Sequence, residues 1–183
     1  EMLGESWGAA PMRQLPLDLG PGAMAGLDDF VTGQNQELMT WLQAWPDSAQ
    51  PGLPAYLWGE AGVGKTHLLA SSYYAVCHAS PSESAFATFG ELTQLAGVFG
   101  FVECIELLSD YALLCIDEFE LDDPGNTTLI SRLLSQLVER GVSVAATSNT
   151  LPEQLGEGRF AAQDFLREIN TLAAMFTTVR IEG

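Results

Sequence analysis

The stretch from Gly59 to Thr66 constrains this chain more than any other feature. It reads Gly-Glu-Ala-Gly-Val-Gly-Lys-Thr and matches the phosphate-loop pattern G-x-x-x-x-G-K-[ST] at every fixed position. Glycines let such a loop curl until successive N–H groups point into one hollow, which suits the phosphates of a nucleotide. Lys65 is the only lysine in the 183 residues and would reach the β- and γ-phosphates. We therefore expect a site for ATP or ADP here.

The residues around the loop have the order that such a site needs. Ala55 to Trp58 is a short apolar run that predicts a strand, and a helix is predicted from Lys65 through Val76. The positive end of that helix dipole would face the phosphates. The Thr66 hydroxyl is the expected protein ligand of Mg2+ in this motif. The predicted nucleotide-binding residues are Gly59, Glu60, Ala61, Gly62, Val63, Gly64, Lys65, Thr66 and His67.

A second motif ends the apolar run from Ala112 to Glu118. The run predicts a strand buried on both faces, and carboxylates at its carboxyl end are costly unless they bind something. Ligands of open α/β sheets bind at this edge. Asp117 is therefore predicted to hold Mg2+, and Glu118 to polarise the water that attacks the γ-phosphate. The alternative is an ordinary strand that leads into an acidic loop, because Glu120 also follows.

A third buried strand is predicted from Val142 to Asn149 and also ends in polar residues. Asn149 could reach between the acidic motif and the γ-phosphate as a sensor of nucleotide state. The alternative is a turn asparagine at the end of a strand. The helix before this strand is predicted over Pro124 to Arg140, with Gly141 at its carboxyl end.

Strand and helix patterns alternate over the remaining chain. Ala85 to Phe89 and Thr177 to Ile181 predict two more strands, and Asn35 to Trp45 predicts a helix. Gly90 to Ser109 predicts two short helices with Gly97 and Gly100 between them. Steady alternation favours parallel strands joined by crossover helices. The expected fold is thus α/β: a P-loop NTPase with a five-stranded parallel sheet flanked by helices.

Composition limits the classes of partner. The formal net charge is -17, from 24 acidic and 7 basic residues, so the surface repels phosphate backbones and direct nucleic-acid binding is not expected. Three cysteines without a C-x-x-C spacing indicate a reducing compartment. No apolar run approaches the roughly 20 residues of a membrane helix. A cytoplasmic protein is the expectation.

We expect two regions: a flexible segment over residues 1 to 22 and a nucleotide-binding core over residues 23 to 183. The segment contains Gln14-Leu15-Pro16-Leu17-Asp18-Leu19, whose leucines would be exposed unless they dock somewhere. Docking on a partner and packing against the edge of the domain are both open.

The hexapeptide resembles the sliding-clamp-binding motif of Hda-type regulatory inactivators of DnaA. The similarity continues through Leu27 to Phe30, Asn35 to Trp45 and Tyr56 to Gly59, and covers residues 14 to about 70. It implies a possible clamp contact and regulation of replication initiation. The residues that would make the contact are Gln14, Leu15, Leu17 and Leu19.

The second half resembles the ZapE-like cell-division ATPases. The similarity spans about residues 84 to 183. It lies in Asp117 to Pro124, Arg132 to Leu134, Glu139 to Val142, Ala146 to Asn149, Gly156 to Phe160 and Asp164 to Ile169. It implies an AAA+ core with the two Walker motifs and the sensor at the positions named above. Members are associated with the division ring and with membrane-protein quality control. A junction between the two patterns would fall near residues 75 to 85.

Two arginines follow the sensor, Arg159 and Arg167. In an oligomeric ATPase an arginine of one subunit contacts the γ-phosphate held by its neighbour, so a nucleotide-dependent homo-oligomer is a hypothesis for this chain. The alternative is a surface ion pair. Neither the helical lid nor the sensor 2 arginine of both families follows the fifth strand. Either the sequence is a truncated core or the protein works without a lid, and weak turnover is the expectation without a lid.

Three functions remain open from the sequence. The first is a Mg2+-dependent ATPase that acts on a protein of the division or replication machinery. The second is a nucleotide-responsive adaptor that docks on the replication clamp through the hexapeptide. A nucleotide or small-molecule kinase is disfavoured, because holding both a phosphoryl donor and an acceptor needs basic residues that this chain lacks.

Overall fold

A computed structural model describes residues 26–44, 54–79, 84–121, 123–156 and 165–183. The flexible segment expected over residues 1–22, with the hexapeptide Gln14 to Leu19, lies outside these residues. So does Arg159, one of the two candidate arginine fingers.

The described residues contain one five-stranded sheet in which all neighbouring strands are parallel. Its order is β2-β3-β4-β1-β5. The strands are β1 Ala55–Trp58, β2 Ser84–Thr88, β3 Leu113–Asp117, β4 Ser143–Ser148 and β5 Thr177–Arg180. The predicted fold class is confirmed, and each predicted strand lies within two residues of its expected limits.

Six helices cover the sheet in the described residues. They are α1 Gln36–Ala44, α2 Lys65–Ala79, α3 Phe89–Phe99, α4 Phe101–Ser109, α5 Pro124–Glu139 and α6 Leu166–Met175. Two 3-10 turns are also present: Leu27–Asp29 precedes α1, and Pro152–Gln154 lies between β4 and α6. The break between α3 and α4 falls at Gly100, whose φ is +88°. Gly97 was expected to share that break but lies inside α3, where a Cβ would contact nothing within 4 Å.

Helix ends follow from local sequence. The Thr88 hydroxyl accepts the N–H of Glu91, and the Glu91 carboxylate accepts the N–H of Thr88, so α3 begins with a capping box. Asp123 caps α5 by accepting the N–H of Asn126, and a proline occupies the first turn. These caps fix the helices that leave β2 and the acidic motif.

Alternate residues of the central strands enter two separate cores. On β3, Leu114 and Ile116 belong to a large cluster with α3, α4, α5 and α6. Leu113 and Cys115 face the other side and pack with Leu69 of α2. All five β3 residues are buried. This alternation places helices on both faces of the sheet, as a parallel sheet requires.

Among the described helices, none alone is long and apolar enough to cross a membrane. The pair α3 and α4 passes a test of length and composition but bends by 120°. Leu92 and Ala96 of α3 and Ile105 and Leu108 of α4 are buried in the larger core.

Candidate nucleotide site

The three predicted motifs meet at the carboxyl edge of the sheet. β4 lies between β3 and β1, with Ile116 opposite Ala146 and Trp58 opposite Ser148. The phosphate loop follows β1, the acidic pair ends β3, and Asn149 follows β4. Because adjacent parallel strands end at one edge, residues far apart in sequence share a single cleft.

The phosphate loop is shaped by two left-handed glycines. Gly62 has a φ of +87° and Gly64 a φ of +91°, conformations that other residues rarely adopt. The loop ends at Lys65, where α2 begins. Its amide groups therefore precede the positive end of a helix dipole, which is a ready-made anion site.

The ammonium group of Lys65 is bound by the loop itself. Nζ donates to the carbonyl of Gly59 at 2.9 Å and to that of Glu60 at 2.6 Å, and the residue is only 8% exposed. Burial lowers the pKa of Lys65, while the Asp117 carboxylate acts in the opposite direction. The only lysine of the chain thus stands desolvated at the base of the cleft.

Asp117 joins the phosphate loop to the end of β3. Its Oδ1 accepts the hydroxyl of Thr66 at 3.1 Å and also the hydroxyl of Thr147. A hydroxyl and a carboxylate within hydrogen-bond distance are the pair that Mg2+ uses in such sites. No described group of three or more His, Cys, Asp or Glu residues could hold a metal ion.

Glu118 has a strained backbone. Its φ of +54° is the only positive value among the non-glycine residues described. Its N–H donates to the Thr147 hydroxyl at 3.3 Å, and the N–H of Phe119 donates to the Thr147 carbonyl at 2.7 Å. These bonds hold the turn that carries the exposed Glu118 carboxylate out of the sheet edge, a place where strain often accompanies function.

One cleft of about 360 Å3 collects most of the predicted residues. Its size falls in the range of small-molecule sites. The predicted residues that line it are Ala61, Gly62, Gly64, Lys65, Thr66, Asp117, Glu118 and Asn149. Glu120, Thr147 and Ser148 also line it and were not among the predicted site residues. Thr147 and Ser148 could have been noticed as hydroxyls that end an apolar strand.

The other predicted residues lie around the cleft. Gly59, Glu60 and Val63 belong to the loop without lining the cleft. The His67 ring is engaged elsewhere: Nε2 lies 3.0 Å from the Gly26 carbonyl, and the ring stacks on Phe30. Arg167 is exposed near the start of α6 and lines a different, open groove.

The parallel sheet, the glycine loop and the acidic strand end together define a protein of the P-loop NTPase fold. The sequence model of the AFG1-like ATPases matches residues 28–183, and the chain belongs to that family. The match crosses residues 75 to 85, where the sequence patterns suggested a junction, so one family covers both halves of the core.

A relative and two solved structures illustrate the similarity. Cell division protein ZapE of Escherichia coli K12 is 31% identical over 124 residues, which are 64% of this chain and 33% of that protein. AMPPCP-bound DnaA from Aquifex aeolicus has a TM-score of 0.71 at 16% identity, covering 86% of this chain and 50% of that one. DnaI has a TM-score of 0.72 at 20% identity, covering 87% and 88%. The structures support the fold alone, and the chain spans about a third of its curated relative.

Proposed function

We propose that this chain is the ATP-hydrolysing core of a Mg2+-dependent ATPase that acts on a protein partner. The carrying observation is that Lys65, Thr66, Asp117, Glu118 and Asn149 line one cleft, although they come from three strand ends. Each is the residue type that phosphoryl transfer to water needs at that place.

Lys65 is the group that binds the phosphates. In this structure its ammonium is satisfied by two carbonyls of the loop. Phosphate oxygens are stronger partners because they carry charge, and they would relieve the cost of burying the ammonium. Exchange of carbonyl partners for phosphate partners therefore favours binding.

Thr66 and Asp117 are the residues that would hold Mg2+, through a hydroxyl and a carboxylate that already contact each other. Mg2+ supplies neutralisation of the charge that develops on the β- and γ-phosphates. Thr147 keeps Asp117 in place by its hydrogen bond to the same carboxylate oxygen.

Glu118 and Asn149 would act on the reacting end of the nucleotide. Both side chains are exposed at the cleft, and only the Glu118 carboxylate can accept a proton from water. Glu118 then orients and polarises the attacking water, and Asn149 donates a hydrogen bond to the γ-phosphate.

Completion of the site by a second copy is part of the proposal. Among the described residues, no arginine lines the cleft. Arg167 is exposed on α6, where it is available to a neighbouring subunit, and Arg159 is the other candidate. An arginine supplied in trans would make turnover depend on assembly.

The partner is proposed from the relative. ZapE is named as a cell division protein, so we propose that the partner belongs to the division machinery and that the chain works in the cytoplasm. The strongly acidic composition favours a protein partner over nucleic acid. Docking on the replication clamp through Gln14 to Leu19 stays an alternative prediction.

Phosphate release with ATP and Mg2+, measured over a series of protein concentrations, tests the proposal. Wild-type protein should release phosphate at a specific rate that rises with concentration. Lys65→Ala should lose both nucleotide binding and turnover, whereas Glu118→Gln should keep binding and lose turnover. Glu153→Gln is the matched control, since Glu153 is an exposed glutamate that does not line the cleft.

Two results would count against the ATPase. Unaltered turnover in Glu118→Gln removes that carboxylate from the catalytic role. Clear ATP or ADP binding without turnover at any concentration favours the adaptor. Replacement of Leu15 and Leu17 by alanine should then abolish capture of the protein by the replication clamp.

A further inference from the structure

The back of the phosphate loop rests on the residues that follow β5. A Cβ at Gly59 would lie 2.6 Å from the carbonyl oxygen of Ile181, so the two backbones touch without room for a side chain. The N–H of Ile181 donates to the Trp58 carbonyl at 2.8 Å. A Cβ at Gly183 would lie 3.0 Å from the Val63 side chain. Residues 181 to 183 are therefore a wall behind the first half of the loop.

The Asn35 side chain binds the middle residue of this wall. The Nδ2 of Asn35 donates to the Glu182 carbonyl at 2.8 Å, and the Glu182 N–H donates to the Oδ1 of Asn35 at 2.9 Å. Asn35 is only 6% exposed. The Asn35 carboxamide thus binds both the carbonyl and the N–H of a residue 147 positions away in the chain.

Asn35 is itself fixed at the start of α1. Its N–H donates to the Thr32 carbonyl at 2.8 Å, and its carbonyl accepts the N–H of Met39 at 3.0 Å. Leu38, Met39 and Leu42 of α1 share a buried cluster with Leu68 of α2 and Ile181. These contacts therefore connect the packed helix α1, through the Asn35 carboxamide, to the wall behind the loop.

We propose that Asn35 is a positioning residue of the nucleotide site, which keeps residues 181 to 183 against Gly59 and Val63 so that the loop is preformed for phosphate. The proposal deepens the proposed function and rests on it. Gly59 to Val63 belong to the loop whose backbone amides cradle the α- and β-phosphates. ADP and ATP carry the same two phosphates, so loss of the support weakens both nucleotides equally. A defect at the γ-phosphate would affect ATP alone.

The test uses Asn35→Ala, which removes both hydrogen bonds, and Asn35→Asp, which keeps the acceptor for the Glu182 N–H and loses the donor. Leu137→Ala is the control for lost stability, because Leu137 is fully buried in the last turns of α5 and lies in a different core cluster from Asn35's neighbours. Fluorescent ADP and ATP analogues are titrated at a temperature where every protein is folded.

Both Asn35 variants should bind both analogues roughly 10-fold more weakly, the lower end of the loss seen when a residue that orients a metal ligand is removed. Leu137→Ala should bind like wild type. Wild-type affinity in Asn35→Ala, or an equal loss in Leu137→Ala, overturns the proposal. If Asn35→Ala does not fold, Asn35→Asp carries the comparison.

Amide exchange without nucleotide separates this proposal from the ATPase itself. Asn35→Asp should exchange faster than wild type over Gly59 to Val63, while α5 is unchanged. Unchanged exchange in the loop overturns the positioning role even if nucleotide binds. If the wild type binds no nucleotide but Asn35→Asp still exchanges faster over Gly59 to Val63, Asn35 positions the loop and the proposed function is wrong.

Discussion

The hydroxyl of Thr147 on β4 donates a hydrogen bond to Asp117 at the end of β3 and accepts the N–H of Glu118 at 3.3 Å. One buried hydroxyl therefore orients the carboxylate proposed for Mg2+ and the backbone of the residue proposed for water activation. Thr147 is 1% exposed, so its hydroxyl makes both bonds from a buried position.

Replacement of Thr147 by valine should weaken the site and the fold together. The change keeps the shape of the side chain but leaves a buried carboxylate and a backbone N–H without this partner, at a cost of about 1–3 kcal/mol. We expect a lower free energy of unfolding in urea and a higher Mg2+ concentration for half-maximal nucleotide binding. Thr147→Ser keeps the hydroxyl and is the control. Equal behaviour of the two variants would show that the hydrogen bonds are unimportant.

Glu118→Gly should stabilise the protein while it abolishes turnover. The left-handed backbone of Glu118 costs an ordinary residue about 1–2 kcal/mol, and glycine avoids this cost at a smaller loss of chain entropy. The expected net gain is about 0.5 kcal/mol, a rise in Tm of roughly 1–2 °C for a domain of this size. Glu118→Gln keeps the strain and should melt like wild type. A lower Tm for Glu118→Gly would show that the strain is absent.

Alanine at Gly64 should be more harmful than alanine at Gly62. Both glycines have left-handed φ values, so both substitutions strain the backbone. A Cβ at Gly64 would also lie 2.7 Å from the Phe30 ring, whereas a Cβ at Gly62 meets nothing within 4 Å. The extra loss should be about 1–3 kcal/mol by urea unfolding, as for other overpacked sites. Equal losses of unfolding free energy in the two variants would mean that the Phe30 ring moves aside without cost.

Tyr56 predicts a change of stability at alkaline pH. Burial raises the pKa of Tyr56 well above its ordinary value of 10.0. Above pH 10 the unfolded chain releases a proton that the folded protein retains, so stability falls as the pH rises through that value. Tyr56→Phe removes this loss but also removes the bond from the Tyr56 hydroxyl to the Thr150 carbonyl.

The variant should therefore be about 1 kcal/mol less stable than wild type at pH 7. At pH 11 it should be equally or more stable, because the ionisation costs the wild type about 1.4 kcal/mol there. Urea unfolding at the two pH values measures the difference. If the difference in unfolding free energy between the two proteins is the same at both pH values, burial does not raise the pKa of Tyr56.

The motifs of the site could be predicted because they are local. A glycine loop before a helix and two carboxylates after an apolar strand each carry their own physical reason. The role of Thr147 could not be predicted, because its partner lies 30 positions earlier and becomes a neighbour only through the pairing of β3 with β4.

Two glycines near the break between α3 and α4 show the same limit of prediction from sequence. Gly97 and Gly100 look equivalent in sequence, but only Gly100 has a backbone that a side chain would strain, so only Gly100 separates two helices. Helix α6 was not predicted from periodicity. The strand order also needed the structure, because the chain leaves β1 and returns at β2, at the far edge of the sheet.

The solitary lysine has a practical consequence. A protease that cuts after lysine has one target bond in these 183 residues, Lys65–Thr66, and that bond lies in the first turn of α2. Cleavage requires the loop to open. A single cut after Lys65 divides the 183 residues into fragments of 65 and 118 residues. We expect bound nucleotide to protect the Lys65–Thr66 bond, so that the fraction of uncut protein on a gel would report the occupancy of the site.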